Sequence, residues 1–352
     1  MNKRGLAVVL IFLLLLSGCA QKESDAGGID ETANTSTQTE EQTEKQTEER
    51  TEMMDNASIT SGKLPEALEL IPQNYFTESE QPGTLVELAY DTFESMTYEQ
   101  KDKVLHKRAI VYLPYGYSED TQYNVFYLMH GGWSDETAYL GTPDQPGEFK
   151  NVLDHAIADK KMQPMLLVCP TYNNESELDS WDYSLAIQLT NNYHNELVND
   201  LIPAVEGTYS TYAEDTTLEG IRASRDHRAF CGFSMGSVAT WRTFQYCLDY
   251  FRYFMPSSGN LTSDGEYMAS MVHDSGHQWN DFFIFAASGT EDFAYASFRY
   301  QIESMANVSD GTFRYADNET EGNLYFLEQE GGVHSGEYAI EYFYNGLCWI
   351  WQ

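Results

Sequence analysis

The sequence predicts an α/β domain: a mostly parallel central sheet with helices on both faces. Two observations carry that prediction. Short unbroken apolar runs alternate with segments of helical spacing from about residue 104 to residue 352. Strands covered on both faces read this way, whereas strands with one wet face alternate apolar and polar residues. Residues 62–352 are also the right length for one large domain of this class.

Taken in order, residues 106–113 read as a strand and residues 123–129 as the next. Residues 151–162 have helical spacing, and residues 164–169 form an unbroken apolar strand. Leu185, Leu189, Leu197, Leu201 and Val205 then fall on one helix face. Residues 228–233 are a strand that runs through a glycine-flanked serine into a helix beginning near Val238. Residues 253–256, 282–287 and 323–327 supply three more apolar runs, and residues 336–351 close the domain as a helix. In such sheets ligands bind beyond the carboxyl ends of the strands, and each candidate residue below follows a strand.

The most informative stretch is Arg228-Ala-Phe-Cys-Gly-Phe-Ser-Met-Gly-Ser237. Strand, Gly-x-Ser-x-Gly and helix in that order make the nucleophile elbow of the α/β-hydrolase fold. The turn is too tight for a Cβ on either side of Ser234, and it holds the hydroxyl clear of the sheet. A serine hydroxyl is a poor nucleophile until a base takes its proton. In this fold the base and its orienting acid follow as acid, then histidine. After Ser234 the strand at residues 282–287 leads into Gly289-Thr-Glu291-Asp292, an acidic turn in the place expected. The last strand leads into Gly331-Gly-Val-His334, which makes His334 the general base.

Met129-His130-Gly131-Gly132-Trp133 closes the second strand. Attack on an ester builds charge on the carbonyl oxygen, and backbone N–H groups aimed there stabilise it, each contributing on the order of 3 kcal/mol. One donor is expected from Met235, the residue after the nucleophile. The other is expected from Gly132, with Trp133 as the adjacent option. His106, His155, His194 and His227 are read as core or surface residues. His273 and His277 lack the His-Glu-x-x-His arrangement, so no metal site is expected there.

The start of the chain carries an address. Lys3 and Arg4 precede an apolar stretch too short to span a membrane. That stretch ends in Leu16-Ser-Gly-Cys19, which resembles the bacterial lipobox. Residues 1–19 are therefore expected to be a lipoprotein signal, with Cys19 lipidated and the protein held on the extracellular face of a bacterial membrane. Residues 20–61 are Thr, Glu, Gln and Ser with few large apolar side chains, the composition of a disordered tether.

The formal net charge is −35, most of it beyond residue 61. No basic stripe fits that balance, which excludes nucleic acid as a partner and disfavours polyanionic substrates while leaving neutral ones. Cys169, Cys231, Cys247 and Cys348 show no Cys-x-x-Cys spacing, which argues against zinc and thioredoxin-type chemistry. Their pairing is not legible from spacing.

With these residues in hand, the domain resembles the carbohydrate esterase family of feruloyl and acetyl xylan esterases, and in particular the feruloyl esterase domains of bacterial xylanases. The stretches that carry the resemblance are Phe126-Tyr-Leu-Met-His-Gly-Gly132, Asn151-Val-Leu-Asp-His-Ala-Ile157 and Tyr209-Ser-Thr-Tyr-Ala213. Ala223-Ser-Arg-Asp-His-Arg228, Gly232-Phe-Ser-Met-Gly236, Tyr253-Phe-Met-Pro-Ser-Ser-Gly259, the Gly289 turn and the His334 loop continue it. The resemblance implies a Ser–His–Asp triad without cofactor and cleavage of hydroxycinnamate esters from arabinoxylan. It selects Asp292 as the acid, with Glu291 as the alternative. It also places substrate contacts in the loop between Thr171 and Trp181, so Trp133, Tyr172 and Trp181 are the candidates for touching acyl group or sugar. One departure is Ser237, where the family commonly has a further glycine. The alternatives are acetyl esters of xylan, another acyl ester or acyl transfer with the same triad, and a surface glycan binder without catalysis.

Overall fold

The computed structural model describes residues 61–352. The expected signal, the lipobox Cys19 and almost all of the tether lie outside the described residues.

Eight strands form one sheet: β1 (Thr84–Phe93), β2 (Val104–Leu113), β3 (Asn124–Met129), β4 (Met165–Cys169), β5 (Arg228–Phe233), β6 (Tyr253–Ser257), β7 (Phe283–Gly289) and β8 (Leu324–Gln329). Their order is β1-β2-β4-β3-β5-β6-β7-β8. The pairs β1/β2 and β2/β4 are antiparallel, and from β4 across to β8 every pair is parallel. The sheet is thus mostly parallel, as predicted.

The parallel strands β3 to β7 are buried on both faces because helices cover both, whereas β8, at the sheet edge, is only partly buried. Along β3, Val125, Tyr127 and Met129 enter one core layer while Phe126 and Leu128 enter the other. The first layer is closed by α2 (Tyr183–Glu196), α3 (Ile202–Thr208), α4 (Leu218–Ala223), α5 (Met235–Tyr246), α6 (Gly265–Ser275) and α7 (Tyr295–Ala306). The second is closed by α1 (Glu148–Ala158) and α8 (Gly336–Trp349). Apolar runs without polar interruption follow from this two-sided cover.

Two differences from the sequence reading have physical causes. Strand β1 went unread because it lies at the sheet edge: its burial alternates over Leu88–Thr92, so no continuous apolar run marks it. The helix face read from Leu185 to Val205 is not one regular helix. A π-helical turn, Leu197–Leu201, joins α2 to α3. Pro203 lies in the first turn of α3, where its missing N–H and its ring disrupt the regular hydrogen-bond ladder behind it.

The base of β5 is anchored by a buried charge. Arg228 is 1% exposed; its Nε donates to Glu206 Oε1 at 2.6 Å, and its Nη1 donates to Ile221 O and Tyr250 O at 2.7 and 3.0 Å. One side chain therefore ties the strand beneath the serine turn to α3 and α4.

Candidate active site

Ser234 sits between β5 and α5 at φ 60°, ψ −118°, a conformation an L-residue adopts only under constraint. The constraint is visible in its neighbours. A Cβ at Gly232 would meet the backbone carbon of Gly236 at 2.4 Å, and one at Gly236 would meet Met129 O at 2.4 Å. The Ser234 N–H donates to Ser257 O at 2.9 Å, which pins the turn to the end of β6. Ser237, the departure noted in the sequence, is fully buried and donates through Oγ to Gly259 O at 2.6 Å. Trp241 Nε1 donates to the same oxygen at 3.0 Å. The hydroxyl thus fastens the loop after β6 to α5.

The turns after β7 and β8 bring Asp292 to His334. Thr290 N–H donates to Gln329 O and Glu291 N–H to Gly332 O, both at 2.9 Å. Gly289 allows this lacing, since a Cβ there would meet Gly332 O at 2.3 Å. His334 Nδ1 lies 2.8 and 2.9 Å from the two Asp292 carboxylate oxygens. With Nδ1–H donating to the carboxylate, Nε2 is left as the acceptor. The Asp292 carboxylate is fully buried, whereas Glu291 is exposed. The geometry selects Asp292 as the partner of His334. The imidazole is held between the rings of Phe233 and Phe293, at centroid distances of 4.4 and 4.2 Å.

Ser234 and His334 border one cavity of about 330 Å³, with Gly132, Trp133, Tyr183, Met235, Val238 and Phe293 also on its wall. Among the described residues no hydrogen bond joins Ser234 to His334; such contacts often close only when substrate binds. Apart from His334, no histidine, lysine, arginine, aspartate or glutamate lines the cavity.

The loop after β3 is held from behind. His130 is buried; its Nδ1 donates to Gly131 O at 2.7 Å, and its Nε2 accepts from Thr171 Oγ1 at 2.7 Å. Burial pushes His130 down to about 4, so the ring is neutral near pH 7. Tyr172, stacked on His130 at 4.4 Å, donates its O–H to the same Gly131 oxygen at 2.9 Å. The Gly131 carbonyl and the Gly132 N–H belong to one planar trans peptide and point opposite ways. Two donors on the carbonyl therefore fix the direction of the Gly132 N–H. The Trp133 N–H is already committed to Ser180 O at 3.0 Å, which leaves Gly132 as the available donor of the two.

One expected substrate contact is corrected, and another lies outside the cavity. Tyr172 is 2% exposed and absent from the cavity wall, because its ring and hydroxyl serve the glycine loop. Trp181 is on the surface and does not border the cavity; its neighbours Ser180 and Tyr183 do. Trp133 does border it. Tyr183 and Phe293 were missed. Phe293 follows Asp292 directly, so its position beside the acid was a usable signal; Tyr183 opens α2 with no such marker.

The remaining histidines lie elsewhere. His273 approaches Asp310, and His277 approaches Asp249 and Asp281. Among the described residues no group of three or more acidic, histidine or cysteine side chains could hold a metal ion. Cys169, Cys231, Cys247 and Cys348 are free thiols, the first three buried.

The strand order, with the serine turn, the acidic turn and the histidine loop all at the carboxyl ends of strands, defines an α/β-hydrolase. A family model described as "Putative esterase" matches residues 106–288. The chain belongs to this esterase family. It is 37% identical over 287 residues to endo-1,4-beta-xylanase Y of Acetivibrio thermocellus, covering 80% of this chain and 24% of that protein. The chain thus spans about a quarter of the length of the curated relatives it matches. Among solved structures, the feruloyl esterase module from Clostridium thermocellum, complexed with sinapinate, is 34% identical with a TM-score of 0.70, covering 83% of this chain and 96% of that one. A ferulic acid esterase from the anaerobic fungus Anaeromyces mucronatus shares the fold at 17% identity and a TM-score of 0.56, covering 81% of this chain and 98% of that one.

Proposed function

We propose that the chain hydrolyses hydroxycinnamoyl esters, feruloyl esters above all, on arabinoxylan through an acyl-enzyme. Ser234 Oγ attacks the ester carbonyl carbon while His334 Nε2 takes its proton. The carbonyl oxygen, now negative, is met by the N–H groups of Gly132 and Met235. Collapse of this intermediate expels the sugar alcohol, which takes its proton from His334. Water, activated by the same imidazole, then attacks the acyl carbon and releases the free acid and Ser234. Asp292 holds the ring in the tautomer that presents Nε2 and stabilises the imidazolium that forms.

The observation that carries the assignment is the Asp292–His334 pair opening onto the cavity that Ser234 also borders. Support for an aryl acyl group comes from the cavity's apolar and aromatic wall, with Trp133, Tyr183 and Phe293 placed to flank a planar ring. The related module bound to sinapinate, itself a hydroxycinnamate, supports the same acyl class.

Release of ferulate from feruloylated arabinoxylan oligosaccharide, beside acetate from acetylated xylan, tests the assignment. Ferulate release that Ser234→Ala abolishes supports it. Acetate release alone moves the activity to an acetyl esterase, and release of neither removes the esterase assignment on xylan.

Anchorage at the extracellular face of a bacterial membrane, through acylation of Cys19, belongs to the same proposal. It rests on Leu16-Ser-Gly-Cys19 following a short apolar stretch. Cys19→Ala should move the protein from the membrane fraction to the medium; unchanged membrane retention would count against the anchor.

A further inference from the structure

A second cavity, of about 510 Å³, opens at the opposite edge of the sheet. Its wall includes Asn124 at the start of β3, His227 immediately before β5, and Gln163 two residues before β4. These positions mark the amino ends of the strands, whereas Gly132 and Ser234 follow their carboxyl ends. The six-residue strand β5 separates the two edges by about 20 Å at ~3.3 Å per residue.

The composition of this wall is unusual for the molecule that carries it. The chain holds 55 acidic residues against 20 basic ones, yet no Asp, Glu, Lys or Arg lines the cavity. Its one titratable base, His227, is pushed down to about 4 by burial, so the wall is uncharged near neutral pH. What it presents instead are amides, hydroxyls and aromatic faces. The side chains of Gln122 and Gln163 are exposed and, among the described residues, make no hydrogen bond within the protein. Tyr115 is 58% exposed at the rim. Tyr212 is fixed in place, its ring stacked on His227 at 3.4 Å with the planes 9° apart, while His227 is itself held by Asn124 Oδ1 at 2.7 Å.

We propose that this cavity is a non-catalytic binding site for a neutral pentose polysaccharide, a stretch of the xylan whose esters the chain cleaves. The proposal rests on the functional reading above for the identity of the polymer. A sugar ring offers an apolar C–H face and equatorial hydroxyls. The first packs on an aromatic ring, and the second need donors and acceptors that carry no charge. Tyr115 and Tyr212 supply the rings; Gln122, Gln163 and Asn124 supply the amides. Because Tyr212 is already held by His227, little ordering is needed on binding. A polymer held here and presented at the other edge would meet the esterase site at a raised effective concentration.

The test is affinity electrophoresis of the full chain through gels containing saponified arabinoxylan, which carries no ester for the active site to hold. Polygalacturonate gels serve as the polyanionic control. The wild-type chain should be retarded by arabinoxylan and not by polygalacturonate. Tyr115→Ala and Gln163→Ala should each weaken retardation, by about tenfold in apparent affinity where the contact is a principal one. Hydrolysis of methyl ferulate should stay unchanged, showing that the variants are folded and the esterase site intact. Tyr115 is exposed, so its removal takes nothing from the core. Equal retardation of wild type and both variants, or none in the wild type, overturns the proposal. A wild-type chain that is retarded but leaves methyl ferulate intact would instead remove the esterase reading and leave the binding site standing.

Discussion

His130 and Tyr172 donate to the same oxygen, that of Gly131, from rings stacked 4.4 Å apart. Neither touches the cavity, yet both determine where the Gly132 N–H is aimed. Tyr172→Phe removes one donor and keeps the stack. We expect kcat on methyl ferulate to fall about tenfold with KM little changed, since only transition-state charge is affected. Steady-state kinetics would show it; a rise in KM alone would place Tyr172 in substrate binding after all.

The same histidine gives a pH signature. His130 takes up its proton less readily folded, at about 4, than unfolded, near the ordinary 6.5. Its neutral, buried state therefore contributes stability that is fully present above pH 6.5 and declines as pH falls toward 4, by at most about 1.4 kcal/mol per unit. His130→Gln should flatten part of the pH dependence of urea unfolding across that window. An unchanged slope would show that His130 titrates normally.

Asp292→Asn keeps the shape of the acid and removes its charge. By analogy with other triads, kcat should drop by about 10⁴ while the fold persists. Glu291→Gln, at an exposed position in the same turn, should leave kcat within about twofold. A large loss in the second variant and a small one in the first would reverse the assignment.

Phe293 lies against His334 at the cavity wall and is 82% exposed, so its removal costs the core little. Phe293→Ala should lower kcat/KM for methyl ferulate by about tenfold more than for a small acetyl ester, the scale of one lost aryl contact. Equal losses on both substrates would tie Phe293 to the imidazole instead of the acyl group.

The Arg228–Glu206 pair is buried on both sides. Removing one partner leaves a charge without compensation, so Glu206→Ala should cost about 3–5 kcal/mol in urea unfolding. A loss under about 1 kcal/mol would mean that the other acceptors of Arg228 suffice.

The parallel half of the fold was legible because two-sided burial writes itself into sequence as unbroken apolar runs. Strand β1, wet on one side, left no such mark. The placing of Ser234, Asp292 and His334 after the ends of β5, β7 and β8 was readable because each follows a strand in a fixed order, with glycines where backbone approaches backbone. Side-chain direction was not readable in this way. Tyr172 and Trp181 lie in the right loop, but one turns inward to Gly131 and the other out to solvent. Tyr183, just beyond the loop, reaches the cavity in their place.

The acidic surface also bears on how the reaction ends. An ester arrives without charge, and its cleavage leaves a carboxylate inside a molecule whose formal charge is −35. The product is repelled by a field that the substrate scarcely feels, so departure of the acid is hastened while entry of the ester is not opposed. Added salt screens that repulsion. Inhibition by free ferulate should therefore deepen as ionic strength rises, the reverse of what a basic cleft would show.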